Sequence, residues 1–214
     1  MKYVRMGTSS NFGNMLSMAL ASMVLPFLPL NPLQILINNM LYDLSEVGIP
    51  FDEADPADLA KPQHWDMHAV LRFTLVMGPL SSVFDVATFA VLLGVFGAGT
   101  ETFRTAWFVE SILTQILVIF VIRTAAPCWR SRPHRFLVMT SLGALAAALI
   151  LALTPLGHPF GFVALPVPLL LAILVIAALY LGLAEILKPL AMRAEGKRRR
   201  GRTRHSEARR FRAF

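Results

Sequence analysis

The sequence predicts an all-α integral membrane protein, a six-transmembrane-helix bundle with both termini in the cytoplasm. Three observations predict it. Of 214 residues, 56% are hydrophobic and only 15% are charged, which is more apolar and less charged than a soluble domain. Several apolar runs approach or exceed the roughly 20 residues that cross a bilayer as a helix. Lys and Arg fall almost wholly on one side of the loops these runs define. The single Cys128 excludes a disulfide framework within one chain. The start, MKYVRMGTSSNFGN, has no apolar segment leading to a small-residue cleavage site, so no cleavable signal peptide is expected.

The expected spans are roughly 10–30, 32–48, 69–97, 105–123, 136–154 and 163–188. The first two are joined by Pro-Phe-Leu-Pro-Leu-Asn-Pro and are expected to pack together. The third exceeds what a bilayer needs, so it tilts or projects. The fifth, FLVMTSLGALAAALILALT, is rich in small residues and has no ionisable group. The sixth follows LPVP, and Pro189 after Lys188 suits its end. Residues 1–190 thus read as one transmembrane domain and 191–214 as a basic cytoplasmic tail, expected to be disordered. No internal repeat is visible.

Orientation follows from charge. Lys2, Arg5, Lys61, Arg72, Arg123, Arg130, Arg132, Arg135, Lys188 and the tail share one side, against Arg104 on the other. The positive-inside rule makes the first side cytoplasmic. The loop Gly48–Trp65 is locally acidic through Asp52, Glu53, Asp55 and Asp58, and its three prolines oppose a long helix. The net charge of +7 comes from the tail, which carries RRRGRTRH. A basic cluster directly after a span is expected to meet anionic lipid, at about 1 kcal/mol per residue. Nucleic-acid binding has no supporting fold or aromatic platform here.

The spans carry polar residues that hydrocarbon rejects. Asn11, Asn14 and Ser17 recur at spacing three on the first. Asn39 and Asp43 lie four apart on the second and so share a face, with Glu46 expected near the same stripe. Ser81, Ser82, Asp85 and Thr88 mark the third, and Glu110 and Thr114 the fourth. Intramembrane carboxylates read as functional sites by default. Asn, Ser and Thr often only join helices by hydrogen bonds, and that is the reading for Ser17, Ser81, Ser82, Thr88 and Thr114. Glu110 is expected nearer a span end, and Glu185 with Lys188 is expected to be a surface pair.

Asn11, Asn14, Asn39 and Asp43 are therefore the candidate metal ligands, with Tyr42, Glu46, Asp85 and Glu110 as secondary candidates and no catalytic residue assigned. Amide oxygens with few carboxylates are hard donors that disfavour imidazole- or thiolate-seeking metals. So sparse a set suits Mg²⁺, which keeps several of its waters. Protons and Ca²⁺ stay open on residues alone.

SSNFGNM, NNMLYD, IPFDEADP with KPQHWD, GPLSSVFD and WFVESILTQ with IRT resemble the C-terminal membrane half of magnesium-transporting P-type ATPases, over about Lys2 to Leu190. The resemblance implies that the six spans correspond to that family's fifth to tenth. It implies an ATP-driven Mg²⁺ importer of the bacterial inner membrane, working through an aspartyl-phosphate. Asn11 and Asn14 match its fifth-span ion-site positions, and Asn39 and Asp43 those of the sixth. Tyr42 stands where calcium pumps often have Thr, and Glu46 departs from an expected Gln. The sequence contains no DKTGT, TGE or GDGxND segment. The chain alone is therefore expected not to hydrolyse ATP and to need an N-terminal partner half, as a fragment, a split subunit or a mis-started reading. The alternatives are a stand-alone small cation transporter or channel, whose internal pseudo-symmetry is not seen, and a non-transporting remnant or regulator.

Overall fold

The computed structural model describes residues 2–52, 67–124 and 126–192. Glu53, Asp55, Asp58, Lys61 and the tail from Arg193 lie outside the described residues, so the acidic-loop and tail readings rest on sequence. Six α-helices follow one another: α1 (Lys2–Val24), α2 (Pro32–Glu46), α3 (Met67–Gly94), α4 (Thr100–Ile122), α5 (Arg135–Leu153) and α6 (Val167–Met192). Four of them, α3 to α6, are long and apolar enough to cross a bilayer, and the chain is a multi-pass membrane protein. The other two expected spans do not meet that standard among the described residues. α1 is diluted by Thr, Ser and Asn, and α2 has 15 residues, about 22 Å of helix against a hydrocarbon core of about 30 Å.

Local chemistry sets the ends. α1 stops at Val24, ahead of three prolines that each remove a backbone donor. α2 starts with Pro32 at its first position behind Asn31, whose N–H donates to Gln34 Oε1 at 3.1 Å in a capping box. Gln34 Nε2 also donates to the Phe160 carbonyl at 3.1 Å, tying α2 to the α5–α6 connection. The expected stop at Pro189 does not occur, and α6 continues to Met192. Proline there removes one backbone bond close to the helix end, and Lys188 anchors the same turn by donating to the carbonyls of Val121 (3.1 Å) and Ala126 (2.8 Å).

α4 is the axis of the molecule. Every residue from Thr105 to Ile116 is buried, and α4 touches each of the other five helices. Its Glu110, Ser111, Thr114 and Gln115 have no lipid-facing alternative that hydrocarbon would accept. The expected pairing of the first two helices is replaced by a different one. α1 packs mainly on α3 and α2 mainly on α5, with no extensive α1–α2 interface among the described residues. Small residues explain the first contact: a Cβ on Gly13 would stand 3.0 Å from the Gly78 carbonyl oxygen, and Ser82 Oγ donates to the Gly13 carbonyl at 3.0 Å.

The connections gather at two ends. At one, Arg104 Nε donates to the Leu28 carbonyl at 2.9 Å and the Val163 N–H donates to Thr105 Oγ1 at 3.0 Å. At the other, Arg123 donates to both Asp52 carboxylate oxygens at 3.1 Å and also to the Ser131 carbonyl. There too Lys188 pairs with Glu185 at 2.9 Å. Lys188 is 1% exposed, so the lysine of the expected surface pair is in fact buried, and Glu185 is half-buried. The lysine is buried because α6 presents it to the carbonyls that α4 leaves free at its C-terminal end.

Candidate functional site

The polar residues of α1 do not form one face. A step of three residues turns the helix about 60° short of a full circle, so the row winds inward. Asn11 is exposed, Asn14 half-buried and Ser17 fully buried. Asn14 Oδ1 accepts from the Ser111 hydroxyl of α4 at 3.1 Å.

α2 divides in the same way. Asn39 and Asp43 share a face as expected, and that face is exposed. The adjacent stripe, with Asn38, Tyr42, Ser45 and Glu46, is buried. Glu46 therefore leaves the Asn39–Asp43 stripe on which it was expected. It joins Tyr42, whose hydroxyl donates to Glu46 Oε1 at 2.6 Å. Asn38, not a site candidate on sequence, is 1% exposed and its Oδ1 has no hydrogen-bond partner among the described residues. α1 and α2 approach where a Cβ on Gly7 would stand 3.4 Å from Glu46 Oε2. Of the four candidate ligands, Asn14 alone turns toward the bundle, and Asn11, Asn39 and Asp43 lie on surface that no described residue covers.

A second polar cluster lies in the bundle interior. Asp85 of α3 is 3% exposed. Its Oδ2 accepts from Ser17 of α1 at 2.5 Å and its Oδ1 from Trp107 Nε1 of α4 at 2.8 Å. Phe89, one turn beyond Asp85, packs edge-on against the Trp107 ring, with centroids 5.0 Å apart. α3 thus grips the indole at two points, which fixes the direction of its N–H. Glu110, three residues after Trp107 on the same helix, is 1% exposed, and its Oε2 has no hydrogen-bond partner among the described residues. It stands in the middle of a helix that begins at Thr100, which corrects its expected place near a span end. Ser17 and Ser82 act as interhelical joints, whereas Thr114 bonds within its own helix and Thr88 Oγ1 has no partner among the described residues.

Among the described residues, no group of three or more His, Cys, Asp and Glu side chains is arranged to hold a metal ion. Any cation held by Asn11, Asn14, Asn39 and Asp43 would meet amide oxygens and one carboxylate, a hard and sparse donor set.

Comparison with known proteins adds to this geometry. Residues 27–190 match the family described as cation transporting ATPase, C-terminus. The chain is 41% identical over 204 residues to the magnesium-transporting ATPase, P-type 1, of Salmonella typhimurium strain LT2. It is 39% identical over 201 residues to the protein of the same description from Escherichia coli K12. Each match takes in 92% of this chain and 22% of the relative, so the chain spans about a fifth of the length of the curated relatives it matches.

Proposed function

The chain belongs to the cation transporting ATPase C-terminal family, and from that premise we propose that it is the membrane-embedded part of an ATP-driven Mg²⁺ importer of the bacterial inner membrane. In this reading all six helices lie in the membrane, with the proline-rich segment after Val24 completing the passage of α2, and both termini are cytoplasmic. The alternation of connections between two ends supports it. Asn11, Asn14, Asn39 and Asp43 supply oxygens to the transported Mg²⁺. The ATP-using domains lie in sequence outside this chain, which by itself forms no aspartyl-phosphate.

One observation carries the reading: Asn11, Asn39 and Asp43 are uncovered on helices of a membrane bundle. A carboxylate facing hydrocarbon costs about 2.5–3.5 kcal/mol on insertion scales. A partner that covers this face removes that penalty, and the partner that fits is the N-terminal half of the same pump. The bilayer is the partner of the apolar surfaces of α3, α5 and α6, and anionic lipid that of the basic tail.

The test replaces the corresponding C-terminal segment of the Salmonella relative with this chain and follows Mg²⁺ uptake in cells. Asp43→Asn in an active chimera is expected to lower uptake at least about tenfold, the effect of losing one charge-assisted contact of about 1.5–3 kcal/mol, with unchanged amounts in the membrane. Undiminished uptake in that variant would overturn the assignment of Asp43.

A further inference from the structure

A small cavity lies between α1, α3, α4 and α6. Its volume is about 10 Å³, and its walls include Ser9, Ser10, Met77, Ser81, Gln115 and Tyr180. All of these but Met77 carry a hydroxyl or an amide, and inside a membrane bundle each such group needs a partner. Two have none among the described residues. Gln115 is 6% exposed, and its Oε1 accepts from no described donor. The Ser10 hydroxyl is likewise buried and without a partner among the described residues. One comes from α4 and the other from α1, and both line the same cavity.

Charge and size select the occupant. No residue that lines the cavity carries a carboxyl or a basic group, so a metal ion or an anion here would stand uncompensated in a water-poor interior. An apolar occupant would leave the Gln115 oxygen and the Ser10 hydroxyl unsatisfied, at about 1–3 kcal/mol each. Water fits a volume of this order, is uncharged, and takes about two to four polar partners.

The cavity also stands at the end of a hydrogen-bonded chain. Gln115 Nε2 donates to Ser111 Oγ, and Ser111 Oγ donates to Asn14 Oδ1 at 3.1 Å. A carboxamide can turn either its oxygen or its NH₂ toward a hydroxyl. A donor at Gln115 Oε1 holds the NH₂ on Ser111, which directs the Ser111 proton to Asn14.

We propose that a single water molecule occupies this cavity, donating to Gln115 Oε1 and bonded to the Ser10 hydroxyl, and that it orients the chain Gln115–Ser111–Asn14. The ligand is neutral water and not a transported cation. That the chain ends on a Mg²⁺ ligand rests on the transport reading of Asn14, whereas the water site does not.

Hydroxyl-radical labelling by X-ray radiolysis, read by mass spectrometry on the full chain in lipid nanodiscs, tests the site without any transport measurement. Radicals form from water in place, so a buried methionine is oxidised where water lies against it. Met77, 4% exposed, lines the cavity, and Met6, 1% exposed, lies outside it. Met77 is expected to be oxidised faster than Met6. Ser10→Val combined with Gln115→Leu is expected to abolish that excess with helix content unchanged. Ser10→Val alone, which narrows the cavity if the double variant does not fold, is expected to reduce it. Met77 oxidised no faster than Met6, or an excess that survives the variants, overturns the proposal. So does protection of Met77 by millimolar Mg²⁺, which would make the cavity a cation site.

Discussion

Asp85 occupies a position where a buried carboxyl is tolerated only because both of its oxygens have donors. Ser17 and Trp107 each hold one of its oxygens, so deleting either donor exposes the penalty of a half-satisfied buried group. Trp107→Phe keeps the ring packed on Phe89 and removes the N–H alone. It is expected to lower stability by about 1–3 kcal/mol, read as a lower thermal unfolding midpoint in detergent. Arg123 presents the same physics with a full charge. Its pair with Asp52 is buried, with side-chain exposures of 3% and 1%. Arg123→Met is expected to cost about 3–5 kcal/mol by stranding the carboxylate, and Asp52→Asn in the same chain should restore part of that loss. Trp107 was not among the candidates read from sequence, where its spacing of three from Glu110 is the one signal that could have marked it. The partners of Arg123 were not legible at all, because Asp52 and Ser131 come from two separate connections.

Helix contacts in this bundle are set by where a side chain is missing. A Cβ on Gly48 would overlap Leu137 Cα, part of the α5 backbone, whereas one on Gly143 would meet nothing within 4 Å. Gly48→Ala is therefore expected to destabilise by at least about 1–3 kcal/mol through forced separation of the chain from α5. Gly143→Ala, in the middle of the same α5, is expected to be neutral or to stabilise by up to about 1 kcal/mol. Thermal unfolding of the two variants side by side checks the contrast, and equal midpoints would refute the packing described. The existence of α3 to α6 was legible because long apolar runs leave a chain in lipid no other way to satisfy its backbone. The ends of α1 and α6 were less so. Pro189 is a stop signal in sequence, yet a lysine bonded to a neighbouring helix outweighs one missing donor.

As a whole, the molecule is a bundle with one polar flank left open. Asn11, Asn39 and Asp43 occupy that flank, and α4 fills the centre where the first two helices were expected to pair. An isolated chain should accordingly bind no ATP and show no ATPase activity above a membrane control. ATP hydrolysis by the purified chain would contradict its reading as a part. Ending the chain after Met192 is expected to weaken its electrostatic contact with anionic lipid, at about 1 kcal/mol per basic residue lost near the surface. Salt-sensitive protection by anionic over neutral vesicles, lost with the tail, would show it.

Sequence by itself determined that the chain lies in a membrane as helices, that it belongs with the C-terminal part of cation pumps, and which residue types could meet a cation. Those properties follow from composition, apolar run length and linked motifs, none of which needs a neighbour. Only tertiary structure decided which polar residue is inside. Asn38 and Asn39 are adjacent and chemically identical, yet one is buried and the other open. A helix turns about 100° per residue, and which of two faces is covered depends on where α4 and α5 stand. The same holds for Asp85 and Trp107, 22 residues apart in the chain and bonded at 2.8 Å. Their contact exists because α3 and α4 return along each other, and no local pattern in the sequence specifies that register.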